Sequence, residues 1–327
     1  MMKRRDFITL LGGAAALWPL VARAQQPAMP VIGFLSGRSP NDSVSNVTAF
    51  RRGLGEVGFI EGQNAKIDFR WALGHYDQLP ALSADLVRRQ MTAIFAGTLP
   101  AALAAKAATS TIPIVFSIGG DPIEARLVTS MSRPTGNLTG VTTFLGELLP
   151  KRLELLRELV PSATLIGVLL NPHNPNAEAR SKDVQEAART VGQQILIVSA
   201  GSEHDLVSAF TTLVQKRAGA LVVSDDPLLI GYSQQIVALA ARHAVPTIYF
   251  LRSDTVNGGL MSYGANLDDL YRQAGTYIGR LLKGEKPTDL PVVQPTKFEL
   301  VLNLNTARTL GLDIPPTLLA RADDVIE

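Results

Sequence analysis

The chain has no cysteine, only four histidines and no excess of either charge, and each shortage removes a class of protein. Without cysteine there is no disulfide framework, no thiolate metal site and no residue to carry a lipid at a processed N-terminus. His75, His173, His204 and His243 stand far apart, without the spacing of metal ligands on one helix. There is no G-x-G-x-x-G after a strand, no G-x-x-x-x-G-K-[ST], no G-x-S-x-G and no H-E-x-x-H. A nucleotide loop, a nucleophile elbow and a zinc motif are therefore not expected, and neither is a cofactor or a metal. Lys and Arg number 31 against 29 Asp and Glu, a balance that gives no reason to expect nucleic acid or an anionic membrane as partner.

Long apolar runs are scarce as well. The one at Phe7 to Ala22 is broken by Gly12-Gly13 and Pro19 and falls short of the roughly 20 apolar residues that a membrane span needs. Lys3, Arg4 and Arg5 precede it, and Ala22-Arg23-Ala24 supplies a small-x-small site, so residues 1–24 read as a signal peptide cleaved before Gln25. Arg4-Arg5 followed by Asp6-Phe7-Ile8 resembles a twin-arginine export signal, an address read by a receptor. The alternative is a general secretory signal whose arginines are only charge. The expected product is a soluble, unlipidated periplasmic protein delivered by the twin-arginine machinery. Loss of the signal leaves 27 basic against 28 acidic residues.

Beyond Pro30, short β-branched runs alternate with helical stripes. Strands are expected at Val31 to Ser36, 65–71, 92–97, 112–118 and 138–143, then at 164–170, 193–200, 219–224, 245–250 and 259–264, with a further one at 297–303. Near-continuous apolar strands separated by helices imply parallel sheets covered on both faces. The fold class is therefore α/β, with two doubly wound, Rossmann-like lobes. Lobe 1 is expected over 30–145 plus about 266–295, and lobe 2 over 146–265 plus about 296–327.

Two helices stand out. Leu149, Leu153, Leu156 and Val160 fall on one stripe, and this helix reads as a connector between lobes. The other runs from Asn266 to Lys283, with Asn266 as cap, Asp268 and Asp269 in the first turn and Gly284 beyond the end. Ser202 and Asp205 around His204 form an S-x-x-D cap, which accounts for that histidine without a functional role. The halves also share a pattern of strand, short loop, proline-started helix, x-Pro and strand, with Pro100 and Pro227 in matching places. Thr98 and Asp225 then occupy corresponding loops at the carboxyl ends of strands, where ligands of open α/β sheets bind.

The stretches "GFIEGQNAKIDFRWALGHYDQLPALSADLVRR", "TIPIVFSIGGDP", "RPTGNLTGVTTF", "KRLELLRELVP", "NPHNP", "LAARHAVPTIYF", "GGLMSYG" and "QPTKFELVLNLNTARTLGL" resemble the bacterial ABC transporter substrate-binding family that includes tryptophan-binding proteins. The resemblance implies a type I periplasmic-binding-protein fold with a three-segment hinge. It further implies a small-molecule ligand, an aromatic or other hydrophobic amino acid or related carboxylate, and a membrane permease as partner.

A zwitterion needs donors for its carboxylate, an acceptor for its ammonium and apolar walls. Candidate donors are Ser36, Thr98 with the N–H groups of Ala101 and Ala102, and Ser117 with Gly119 and Gly120. Asp121 and Asp226 precede prolines in the manner of helix caps. Asp225, one residue before such a cap, is expected to be free to accept an ammonium. Asn171 and Asn174 either close the site or shape a proline turn. Tyr263 and Trp71 are candidate walls or core aromatics. A sensor for a signalling partner and a periplasmic enzyme on the same scaffold are the alternative functions, and the missing catalytic motifs count against the second.

Overall fold

A computed structural model describes residues 29–143, 148–295 and 298–327. The expected export signal lies outside them. The first lobe holds β1 (Val31–Ser36), β2 (Lys66–Trp71), β3 (Ala93–Ala96), β4 (Ile114–Ile118) and β5 (Leu138–Thr142), all parallel, in the order β2-β1-β3-β4-β5. In the second lobe β6 (Leu165–Leu170), β7 (Gln194–Ser199), β8 (Ala220–Val223), β9 (Thr247–Tyr249) and β10 (Met261–Ala265) repeat that order as β7-β6-β8-β9-β10. β11 (Phe298–Asn303), antiparallel to β10, and β12 (Asp324–Ile326) extend its edge. β12 has only three residues, too few to leave a periodic signal.

Every residue of β3, β4, β5 and β8 is buried, which is why these strands read as continuous apolar runs rather than alternating ones. α1 (Val44–Glu56) and α10 (Leu267–Leu282) cover one face of the first sheet over Phe34, Phe50, Phe95 and Ile278. α2 (Leu79–Arg88) and α3 (Leu99–Ala108) cover the other over Leu86, Ile94 and Phe116. On the second sheet α4 (Leu148–Leu159) and α5 (Ala177–Thr190) bury one face, α6 (Glu203–Gln215) and α8 (Ser233–Arg242) the other. Short helices α7 (Pro227–Gly231) and α9 (Arg252–Val256) follow β8 and β9, and α11 (Leu304–Thr309) and α12 (Pro316–Leu319) follow β11.

The helix expected to connect the lobes is α4, and it does not lie between them. Leu149, Leu153 and Leu156 bury in the second core, so α4 belongs wholly to the second lobe. The chain crosses back between β10 and α10, and a third time after Val293, which bridges Val141 beside β5. Local signals set the ends of α10 and α6. Asn266 Oδ1 accepts from the Asp269 N–H at 3.1 Å, Ser202 Oγ accepts from the Asp205 N–H at 3.3 Å, and Gly284 closes α10 at φ +96°.

Candidate functional site

The carboxyl ends of the two sheets face one another. Between them lies an inner cavity whose first-lobe wall is Thr98, the cap of α3, with Leu99 and Pro100 at its start, Ser117 near the end of β4, and Gly119 and Gly120 just after it. Thr98 has the extended backbone of a cap, and its hydroxyl accepts from the N–H groups of Ala101 at 3.3 Å and Gly37 at 3.2 Å. Both lone pairs are thus spent, and the O–H hydrogen remains as a donor. Tyr271, Phe250, Ile230 and Leu267 add apolar surface. Tyr271 is fixed by its own hydroxyl, which donates to the Gly97 carbonyl at 3.1 Å.

The second-lobe wall carries charge. Asp225, just past β8, pairs with Arg180 Nη1 at 2.5 Å, and both side chains are almost wholly buried. Arg180 Nη2 reaches across to the Gly119 carbonyl at 3.5 Å, and its Nε has no partner among the described residues. Burial pushes the Asp225 carboxyl above its ordinary pKa, against the pull of Arg180 and Arg152. The expectation that Asp225 stands free is therefore corrected: the helix that covers β6 and β7 brings an arginine to it.

Asp226 is the cap of α7. Its carboxylate accepts from the N–H groups of Leu228 at 2.8 Å and Leu229 at 3.2 Å, from Asn171 Nδ2 at 3.0 Å and from Asn174 Nδ2 at 2.6 Å. Burial again raises its pKa, and these four donors oppose the rise. Tyr76, from the first lobe, completes the group with its hydroxyl 3.3 Å from both carboxylate oxygens. Behind Phe250 lies Arg152, fully buried, its guanidinium 5.7 Å from the ring centre. Arg152 Nε donates to the Tyr263 carbonyl at 2.8 Å, while Nη1 and Nη2 have no partner among the described residues. Desolvation lowers its pKa to about 10, so it stays cationic at neutral pH.

A wider cavity of about 790 Å³ opens on the flank of the cleft, between Arg38, Asn41 and Asp42 of the first lobe and Ser233, Asp254 and Asn257 of the second. Arg38, Ile230 and Leu267 line both cavities and divide them. Arg38 is held in place, its Nη1 donating to Asn46 Oδ1 at 2.7 Å and its Nε to Asp42 at 3.2 Å.

Of the residues expected at the site, Thr98, Ser117, Gly119, Asn174 and Asp225 line the inner cavity. Others are placed elsewhere. Ser36 is buried and its Oγ accepts from the Arg38 N–H at 3.2 Å, shaping the turn after β1. Asp121 caps its own proline turn through the N–H groups of Ile123 and Glu124. Asn171 donates to Asp226 and accepts from the His173 N–H at 3.0 Å, so it stands behind the wall. Tyr263 lies against Phe298 with ring centres 6.2 Å apart, and Trp71 stacks on Phe69 in the first core. These two aromatics leave the walls to Tyr271 and Phe250, which carry no special signal in sequence because each is one apolar residue in an apolar stripe. Arg180, Arg152, Arg38 and Tyr76 were equally unmarked, the arginines looking like charges on solvated faces. Among the described residues there is no cluster of three or more metal-ligating side chains, and no helix is long and apolar enough to cross a membrane.

Two doubly wound lobes, joined by three crossings and facing each other over a cavity with polar poles and apolar walls, define a two-lobe solute-binding receptor. The chain belongs to the ABC transporter substrate binding protein family, whose model matches residues 29–326. It is 28% identical over 263 residues, 80% of this chain and 75% of the relative, to a tyrosine-binding protein of Clostridioides difficile strain R20291. It superposes with a TM-score of 0.82 on an ABC domain in complex with L-Trp from Streptococcus pneumonia, at 27% identity over 91% of this chain and 99% of that one. A ligand-free, open substrate-binding protein with adhesive properties from Clostridium difficile gives 0.65 at 26% identity over the same shares.

Proposed function

We propose that this receptor binds a hydrophobic or aromatic amino acid, or a related carboxylate, in the inner cavity, and hands it to the permease of an ABC importer without covalent chemistry. The observation that carries the reading is the pairing of opposite walls. The hydroxyls of Thr98 and Ser117 offer donors on one side, and the Arg180–Asp225 ion pair faces them from the other. An ion pair is the complement of a zwitterion, since its carboxylate attracts the ammonium and its guanidinium the carboxylate. Tyr271, Phe250, Leu99 and Ile230 suit an apolar side chain. The relatives that bind tyrosine and L-Trp agree with that choice.

The receptor works in the periplasm, exported by the twin-arginine route and released without a lipid. Arg4-Arg5, the Ala22 and Ala24 site and the absence of cysteine support this, and protein recovered from the periplasm is expected to begin at Gln25.

The test is thermal unfolding with L-tryptophan, L-tyrosine, their carboxamides and sugars. An amino acid at 100 times its Kd adds about 2.7 kcal/mol of stability. The carboxamides are expected to give much smaller shifts, and Thr98→Val to reduce the shift from the free amino acids. Equal shifts from amino acids and carboxamides would remove the carboxylate pole, and a response to sugars alone would remove the zwitterion.

A further inference from the structure

Tyr76 lines neither cavity, yet among the described residues its hydroxyl bonds across the lobes both as donor and as acceptor. Its hydroxyl donates to the Asp226 carboxylate, 3.3 Å from each oxygen, and accepts at 3.2 Å the longer share of the Leu228 N–H that also bonds Asp226 at 2.8 Å, so donor and acceptor valences are both used at the opposite lobe. The receiving end is rigid. Four donors of its own lobe hold Asp226, which is only 3% exposed, so the carboxylate stands ready before the lobes meet. The delivering end is rigid too. Tyr76 opens the turn Tyr76–Gln78 that leads into α2, its ring packs on the first-lobe core, and a Cβ added at Gly37 would come within 3.1 Å of the ring. Gly74, at φ +84°, leaves room for Leu228, whose Cδ1 lies 2.6 Å from where a side chain would start. The only other bond between the cavity walls in this region is the longer one from Arg180 to Gly119, among the described residues.

We infer that Tyr76 is an affinity-determining residue of the receptor, a latch that favours the closed lobes by a hydrogen bond to Asp226 and contributes the same factor to every ligand. This rests on the receptor reading above but not on the identity of the ligand. A hydrogen bond to a carboxylate, formed in the closed arrangement and replaced by water in the open one, changes the closed-to-open ratio by about tenfold. The apparent Kd of any ligand that needs the closed form moves by that factor, because affinity scales with the competent fraction. A residue that touched the ligand would change ligands unequally. Tyr76 itself lines neither cavity, and Asp226 keeps its four donors without it, so the loss of Tyr76 speeds release and leaves the preference among ligands as it was.

The chain lacks cysteine, so Ala107→Cys and Asp183→Cys, both exposed, give one labelling site on each lobe without background. Distances between the two labels are read by single-molecule energy transfer, with and without Tyr76→Phe, first in buffer and then with L-tryptophan or L-tyrosine. Far-UV circular dichroism checks that the phenylalanine variant, which keeps the ring, is folded. The expected result is a closed-to-open ratio about tenfold lower in Tyr76→Phe, with both Kd values raised by one common factor and the change carried by koff. An unchanged distance distribution overturns the latch, whether or not binding weakens. A variant that weakens one amino acid and not the other also overturns it, in favour of a direct contact. A shifted distribution in a chain that binds neither amino acid supports the latch and overturns the ligand assignment.

Discussion

Asp254 is 3% exposed where it borders the outer cavity, and its carboxylate is met by the Ser233 hydroxyl. Burial, which penalises the charged form most, lifts its pKa to about 6, while Ser233 and the charge of Arg38 act the other way. The folded chain thus holds this proton more tightly than the unfolded chain. The stability it supplies is complete below about pH 4 and is lost as pH rises through about 6. Asp254→Asn keeps an oxygen for Ser233 and removes the buried charge. Urea unfolding is expected to show a gain of up to about 3 kcal/mol at pH 8 that falls toward zero at pH 4. A gain independent of pH would mean that the amide simply packs better. Asp225 differs in being paired with Arg180, and Asp226 in having amides and a phenol around it. Asp225 and Asp226 were readable as a loop residue and a cap, but only the fold tells which of them meets a cation.

At the scale of elements, α1 and α10 pack closely enough for backbone to touch backbone. A Cβ added at Gly275 would stand 2.1 Å from the Phe50 carbonyl oxygen, and one at Gly53 would stand 1.8 Å from that of Arg272. Neither oxygen can rotate away, so Gly275→Ala has to push the helices apart and open gaps around Phe50 and Ile278. Despite the better helix propensity of alanine, a loss of about 1–3 kcal/mol is expected in urea unfolding. No loss would show that the helices slide freely on the sheet. The ends of α10 and α6 were legible because caps act within one turn, on residues three apart in sequence. The role of α4 was not, since an amphipathic stripe shows that a helix is half buried without showing against which lobe.

At the scale of the whole molecule, a ligand changes the lobe equilibrium only by its differential affinity for the closed form. Small-angle scattering is therefore expected to report a smaller radius of gyration with saturating L-tryptophan than in buffer for a chain whose Tyr76 latch has been removed, because its closed fraction in buffer is lowered. An unchanged radius would mean that binding does not act through closure. Mixed polar and apolar walls drawn from both lobes make such coupling natural, because neither wall alone surrounds a ligand.

The sequence by itself determined the order of the first eleven strands and the longer helices between them, the parallel core of each sheet and several helix ends, because hydrophobic periodicity and capping act between near neighbours. It also placed Thr98, Ser117 and Gly119 near the cleft, since the carboxyl ends of parallel strands in a doubly wound lobe share one edge. Only the tertiary structure decided that Arg180 meets Asp225, 45 residues away, that Tyr76 meets Asp226 across 150, and that Tyr263 and Trp71 face away from the cavity. A charged residue on a helix looks the same in sequence whether it faces water or a buried carboxylate. Its partner is set by how helices lie on a sheet and how two lobes approach, and those depend on the packing of the whole core.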